Sequence, residues 1–242
     1  MMDHRNTLIY EINNLKKSYG INTALSIGSL QFHRGTIYGI IGPIGSGKSS
    51  LLKIMAGLVK PDSGTILYDS QEFATSWRGK IKPIPEILLA SVESLPKGQK
   101  VKHINVHDSK GKPKEIISRN FNSAPWNHLL ERSINSLSPG ELAWLNMVVA
   151  VESDPRVLLL DDYGILFDPE LESDFRSRIK RMNKNLGTTI ILASHSDLYL
   201  KRFASVLIYL NNGHISKIRS GSIRNDMNDR RFKSKSRFRK NR

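Results

Sequence analysis

The sequence predicts an α/β fold with a mainly parallel central sheet and an N-terminal antiparallel β subdomain. Strand and helix patterns alternate over most of the 242 residues, as they do in parallel sheets whose strands are joined by helices. A glycine-rich loop separates an apolar strand from a helix within residues 36–58. Two alternating strands, Thr7–Leu15 and Leu25–Phe32, flank a turn at Tyr19-Gly20, which is typical of an antiparallel pair.

The hydrophobic periodicity predicts the remaining elements. We expect strands at Thr36–Ile41, Thr65–Tyr68, Ile87–Val92, Val157–Leu160 and Thr188–Ala193, and a terminal hairpin of Val206–Leu210 and His214–Ile218. We expect helices at Ser50–Leu58, Leu137–Val151 and Leu171–Leu186. The segment from Pro96 to Asn135 is polar and mixed in pattern, and we expect short helices and loops there.

The glycine-rich loop has the sequence and the setting of a phosphate-binding loop. It reads Gly42-Pro43-Ile44-Gly45-Ser46-Gly47-Lys48-Ser49 and leads through Ser50 into the helix. Its glycines allow the backbone N–H groups to surround a phosphate, and the helix adds the positive end of its dipole. Lys48 is expected to reach the β- and γ-phosphates, and the Ser49 hydroxyl to ligate Mg²⁺. These residues predict that the chain binds a nucleoside triphosphate.

Composition limits where the protein acts. No run approaches the ~18 apolar residues of a membrane span. The N-terminal stretch carries acidic residues and lacks the apolar core of a secretory signal. The chain has no cysteine, which excludes disulfides and thiolate metal sites and is compatible with the cytoplasm. We therefore expect a cytoplasmic protein.

The net charge of +15 is concentrated at the C-terminus. The stretch from Lys217 to Arg242 contains eleven Lys or Arg residues and two Asp, a net charge of +9. The stretch from Arg230 has no helical or strand periodicity, and residues 219–242 are predicted to form a disordered tail. Such a tail could contact RNA or anionic lipid, or serve only as a solvated, solubilising extension.

A second acidic site follows a buried strand. Asp161 and Asp162 come directly after Val157–Leu160. An aspartate at the carboxyl end of a core strand can hold Mg²⁺ opposite the serine of a phosphate-binding loop. Asp161 is therefore the second predicted metal ligand, beside Ser49.

Just upstream, Leu137-Ser138-Pro139-Gly140-Glu141 opens a helix and resembles the LSGGQ signature of the ATP-binding cassette (ABC) family. Three further positions match that family in order. Tyr19 matches its adenine-stacking aromatic, Asp168 its D-loop aspartate and His195 its switch histidine. The resemblance covers roughly residues 7 to 218, and residues 219–242 lie beyond it.

The resemblance implies the ABC ATPase fold, a P-loop NTPase core with a small helical subdomain at about residues 94–150. It implies that Tyr19 stacks on the base of ATP, and that His195 contacts the γ-phosphate or the attacking water. Ser138 and Gly140 would contact the γ-phosphate bound by an opposite subunit, so two copies or two different cassettes would form a dimer. Taken alone, Tyr19 could equally be a core aromatic and His195 a structural histidine.

Two positions depart from the family at the reaction centre. Asp162 stands where the family has a glutamate that polarises the attacking water. It keeps the carboxylate but is one methylene shorter, so we expect hydrolysis that is slow or that needs a partner to adjust the site. The Q-loop glutamine is absent, and Glu93 is the best replacement, able to ligate Mg²⁺ directly or through water. Glu86 is the second choice.

Further departures lie in the signature helix. Pro139 replaces a glycine, which costs little at the first helical position, and Glu141 replaces a glutamine and suits the helix dipole. The basic residues that usually follow are replaced by Ala143, Trp144 and Asn146. These changes predict altered contacts within the subunit.

The function that this resemblance implies is the ATP-binding subunit of an ABC transporter, lying on the inner face of the membrane. ATP binding and hydrolysis at a dimer interface would drive separate membrane subunits, since the chain has no span of its own. One alternative is a soluble ABC ATPase that acts on nucleic acid or the ribosome. Another is a regulatory cassette with slow or degenerate hydrolysis.

Overall fold

The computed structural model describes residues 8–91, 95–107, 113–115, 127–164 and 169–221. Within them the hydrophobic core forms two clusters, and two sheets share one of these clusters. The first is antiparallel, in the order β2-β1-β4-β5, and its strands are β1 Leu8–Tyr19, β2 Asn22–His33, β4 Ser63–Tyr68 and β5 Gln71–Glu72. The turn predicted at Tyr19-Gly20 is confirmed, because Tyr19 pairs with Asn22 across it.

The second sheet has six strands in the order β12-β11-β3-β10-β9-β6. Their bounds are β3 Ile37–Ile41, β6 Ile87–Ala90, β9 Val157–Leu160, β10 Thr189–Ser194, β11 Val206–Asn211 and β12 His214–Ser220. All neighbours are parallel except β12, which pairs antiparallel with β11 in the predicted terminal hairpin. Every residue of β3, β9 and β10 is buried, which explains why these strands are continuous apolar runs.

Three α-helices flank the sheets in the described residues: α1 Lys48–Met55, α2 Pro139–Glu152 and α3 Pro169–Leu186. The first begins two residues earlier than predicted and also ends earlier. Gly57 stops it by adopting φ 70°, the left-handed conformation common just after helices. Prolines begin the other two helices, where the missing N–H costs no helical bond. No helix among the described residues is long and apolar enough to cross a membrane.

The polar segment between Pro96 and Asn135 was expected to contain short helices and loops. Its described parts form 3₁₀ turns and a two-stranded sheet of β7 Asn105–His107 and β8 Pro113–Glu115. Strands of three residues are too short for periodicity to reveal. Residues 108–112 and 116–126 lie outside the described residues, so the predicted helical subdomain at 94–150 stays a prediction. β12 continues through Ser220, two residues past the predicted domain end, and the remaining tail from 222 is not described.

Candidate nucleotide-binding site

The central sheet brings three predicted segments to its carboxyl edge. β10 lies between β3 and β9, so the ends of the three strands are adjacent. The Gly42 N–H donates to the Ser194 carbonyl at 3.2 Å, and the Tyr163 N–H donates to the Ala193 carbonyl at 2.8 Å. The phosphate-binding loop, the Asp161-Asp162 pair and His195 therefore lie side by side. This is the edge at which parallel α/β sheets bind ligands.

The loop depends on glycine at two positions where another backbone approaches closely. A Cβ on Gly42 would lie 2.3 Å from the Leu210 carbonyl oxygen. Gly47 has φ 98°, and a Cβ there would lie 2.4 Å from the Ala24 carbonyl oxygen. Residues of β2 and β11 thus form the wall of the loop. No side chain larger than glycine fits at either position without moving backbone.

Lys48 is buried, with 6% of its surface exposed, and its ammonium group binds the loop itself. The Lys48 Nζ donates to the carbonyl oxygens of Gly42 and Pro43 at 2.8 and 2.9 Å, and lies 3.5 Å from the Ser46 hydroxyl oxygen. Burial lowers the pKa of Lys48, and the nearby charges of Asp162 and Asp161 oppose that shift. The ammonium is held among neutral oxygens, where a phosphate anion would be a stronger partner.

Ser49 and Asp161 lie together at the start of α1 and the end of β9. Burial raises the pKa of Asp161 and the charge of Asp162 raises it further, while a hydrogen bond with the Ser49 side chain opposes the shift. A hydroxyl and two carboxylates are oxygen ligands of the kind that Mg²⁺ prefers. A divalent cation would also relieve the repulsion between the carboxylates, so the donor set fits the predicted metal.

His195 follows β10 directly and is exposed at the same edge. Tyr19 lies at the end of β1 and is 48% exposed, and the Lys17 ammonium is 5.5 Å from its ring centroid. The same hairpin reaches the loop through Leu25, whose Cδ2 would lie 2.7 Å from a Cβ on Gly47. The structure places both residues on the surface and not in the core, and their contacts to nucleotide stay predictions.

Ser138 is the N-cap of α2. Its hydroxyl accepts a hydrogen bond from the Glu141 N–H at 3.4 Å, and the Glu141 carboxylate accepts one from the Ser138 N–H at 2.6 Å. Together they form a capping box, and Arg132 Nη1 donates to the same carboxylate at 2.8 Å. The bond from the Ser138 N–H, assisted by the Arg132 charge, lowers the pKa of Glu141. The glutamate in place of the family glutamine therefore serves to order this helix end.

Gly140, the second residue of α2, faces open space. A Cβ there would meet no heavy atom of the described residues within 4 Å. Its glycine is therefore not explained by packing within the described part of this subunit. In contrast, the three replaced basic positions, Ala143, Trp144 and Asn146, are all buried, and the predicted change of contacts within the subunit stays a prediction.

The second choice for the Q-loop position is wrong. Glu86 precedes β6 and accepts hydrogen bonds from the Tyr68 hydroxyl at 3.0 Å and from Arg156 Nη1 at 3.2 Å. Its own carbonyl accepts from the Val157 N–H, which starts β9. The carboxylate therefore lies at the amino-terminal edge of the sheet, opposite the loop. Glu93 and Asp168 lie outside the described residues, and their assignments stay predictions.

The sequence patterns did not single out Tyr163 and Glu172, although both contribute to this edge. The Tyr163 hydroxyl donates to the Glu172 carboxylate at 2.7 Å, and both side chains are only 2% exposed. Tyr163 belongs to no motif that we recognised, and Glu172 is one of many charged residues in its helix. Only their burial in the structure distinguishes them.

Comparison with known proteins identifies the family. A family model described as ABC transporter matches residues 25–163. The chain is 28% identical over 228 residues to a probable sulfate/thiosulfate import ATP-binding protein of Chlorella vulgaris, covering 89% of this chain and 92% of that one. It is 27% identical to a spermidine/putrescine import ATP-binding protein of Bacteroides fragilis, covering 87% of this chain but only 46% of the relative. The chain belongs to the ABC transporter family.

Solved structures agree on the fold. A subunit from Clostridium perfringens that is part of an ABC transporter complex superposes with a TM-score of 0.68 at 21% identity, covering 96% of each chain. A bacterial ABC transporter cassette solved as a dimer superposes with a TM-score of 0.71 at 19% identity, covering 88% of this chain and 98% of that one. The predicted ABC ATPase fold is thus confirmed. The chain is an ATP-binding subunit of this family and an ATPase.

Proposed function

We propose that this chain hydrolyses ATP between two cassettes and so drives separate membrane subunits. ATP binds through the loop at residues 42–50, with Lys48 on its phosphates and Tyr19 against its base. Ser49 and Asp161 hold Mg²⁺, and Glu93 completes the metal site. Asp162 polarises the attacking water, and His195 contacts it or the γ-phosphate. The observation that carries this proposal is the adjacency of Lys48, Ser49 and Asp161 at one sheet edge.

The open side of Gly140 supports a dimer. Ser138 and Gly140 present a helix N-terminus, which favours an anion, and nothing within 4 Å among the described residues occupies the space at Gly140. On the loop, Ile44 is 90% exposed. Covering this apolar side chain with another protein surface would be favourable, because it would remove the side chain from water. A second cassette would cover Ile44 and bring its own signature helix to the nucleotide.

The names of the relatives support a location at the inner membrane face, beside separate membrane subunits. The described residues contain no helix that could cross a bilayer, and the relatives named above are import proteins. We propose that this chain likewise acts with separate membrane subunits. The described parts of residues 95–136, next to the signature helix, are our candidate contact for them.

The dimer is tested by trapping it with ATP. In an Asp162→Asn background, which removes the charge that polarises water, Mg²⁺ and ATP should double the mass measured by light scattering. Adding Gly140→Asp should abolish this doubling but leave ATP binding by the monomer intact. Gly28→Asp is the matched control, because Gly28 also faces open space, on β2.

Two outcomes would contradict this proposal. One is a chain that remains monomeric at saturating ATP in the Asp162→Asn background. The other is a dimer that tolerates Gly140→Asp as well as it tolerates Gly28→Asp.

A further inference from the structure

The backbone at Asp162 has an unfavourable conformation. Its φ is 54°, in the left-handed region that residues with side chains rarely adopt, and Gly164 two positions later has φ 84°. The chain therefore turns sharply just after β9. Such a conformation persists only where surrounding contacts hold it, and it is often found at functional sites.

Tyr163 supplies those contacts. Its N–H donates to the Ala193 carbonyl at 2.8 Å, two residues before His195, and its hydroxyl donates to Glu172 Oε1 at 2.7 Å. Its ring centroid lies 6.1 Å from that of Phe175 and 5.9 Å from that of Phe203. Tyr163 is thus attached to β10 through its backbone, to α3 through its hydroxyl and to the core through its ring.

Glu172 makes the hydroxyl contact a strong one. It lies in the first turn of α3 and is 2% exposed, so its carboxylate requires donors inside the protein. Tyr163 serves Oε1, and Arg176 Nη1 lies 3.1 Å from Oε2. The Arg176 contact is an ion pair without hydrogen-bond alignment. The directed bond between Tyr163 and Glu172 therefore ties the end of β9 to the start of α3.

Asp162 directly precedes Tyr163 and is exposed at the carboxyl edge. Its carboxylate is close enough to Lys48 and Asp161 for their charges to interact. We propose that Tyr163 is a positioning residue for ATP hydrolysis, whose bond to Glu172 keeps the Asp162 carboxylate beside the phosphate-binding loop. The inference rests on the proposed role of Asp162. Because an aspartate reaches less far than the family glutamate, its placement tolerates little error, and a shift of ~1 Å can cost about 10²-fold in rate.

The Tyr163→Phe variant tests the proposal because it removes the hydroxyl and keeps the ring. We expect kcat to fall at least ~10-fold, while KM and the Kd for ATP stay within about twofold, since nucleotide contacts are untouched. Tyr10→Phe is the matched control. The Tyr10 hydroxyl is also buried and donates to the Met55 carbonyl at 2.9 Å, but it lies in the antiparallel sheet. It should lower Tm without lowering kcat.

A double variant separates positioning from stability. Tyr163→Phe alone leaves the Glu172 carboxylate short of a donor, which lowers Tm. Adding Glu172→Gln removes that buried negative charge and keeps an amide oxygen beside Arg176. We expect the double variant to regain Tm and keep the low kcat. If kcat returns with Tm, or if Tyr163→Phe retains the parent's kcat, the proposal is overturned. A parent protein without any ATPase activity would overturn both this inference and the proposed function.

Discussion

The two edges of the six-stranded sheet carry similar charged side chains in opposite electrostatic settings. At the amino-terminal edge, Arg156 Nη1 lies 2.9 Å from Asp69 Oδ2 and 3.2 Å from Glu86 Oε2, and Arg34 also pairs with Asp69. Burial alone would raise the pKa of Asp69, but the Arg34 hydrogen bond and the Arg156 charge outweigh it and lower that pKa. At the carboxyl edge, burial and the Asp162 charge raise the pKa of Asp161.

This contrast separates the charges that pair within the subunit from those of the candidate nucleotide site. The amino-terminal network satisfies its carboxylates with arginines and a tyrosine, and so joins the two sheets. The carboxyl edge keeps a lysine on neutral oxygens and two carboxylates next to each other. Charged groups that are destabilised by burial or by a neighbouring like charge are typical of a site that a bound ligand completes. Glu86, which belongs to the satisfied edge, is excluded from the reaction on the same grounds.

Lys48→Ala is expected to give the largest effect. Loss of the charge on the phosphates should lower kcat/KM for ATP by about 10³-fold, in the range seen when one charged transition-state contact is removed. Tm should stay the same or rise, because a buried ammonium is removed. Equilibrium ATP binding and thermal unfolding check both halves. A variant that retains the parent's affinity for ATP would contradict the assignment of this loop.

Asp162→Glu is expected to raise a weak basal ATPase rate, by up to about 10²-fold if the extra methylene places the carboxylate correctly. Steady-state phosphate release measures the change. Asp162→Asn is the control, since it suits the same left-handed backbone but lacks the charge, and it should be slower than the parent. A large loss of rate in Asp162→Glu would refute the role assigned to this position.

Arg156→Met should have the opposite profile at the other edge. It should lower the free energy of unfolding by about 1 kcal/mol, a modest loss because Arg156 is 41% exposed and solvent screens its pairs. ATPase kinetics should not change. Urea unfolding monitored together with ATPase activity tests this. A clear loss of kcat would show that the two edges are not independent.

The pH dependence of stability gives the smallest effect, a few tenths of a kcal/mol for so exposed a pair. Because the folded protein lowers the pKa of Asp69, this contribution is fully present above the unfolded pKa and lost as pH falls through the folded one. The parent should therefore lose stability on acidification more steeply than Arg156→Met. Equal acid slopes for the two proteins would show that Arg156 does not stabilise the ionised aspartate.

The sequence predicted the sheets, and singled out the groups of the candidate site, where residue type and spacing act locally. Strands β3, β9 and β10 were recognisable because burial on both faces requires continuous apolar runs. Lys48, Ser49 and Asp161 were recognisable because phosphate and metal binding restrict residue types. The short strands β7 and β8 were missed, since three residues carry no periodicity. The choice between Glu93 and Glu86 for the Q-loop position remained open. Nearness along the chain does not tell at which end of a strand a carboxylate lies.

What the sequence determined by itself is the family and the set of chemical groups, because the loop, the acidic pair and the signature are contiguous patterns. Only the tertiary structure decided which groups are satisfied within the subunit and which are left open. Whether a carboxylate finds an arginine, as Asp69 does, or a second carboxylate, as Asp161 does, depends on residues far apart in the chain. The bond between Tyr163 and Glu172 likewise depends on the tertiary structure, because burial of both side chains strengthens it.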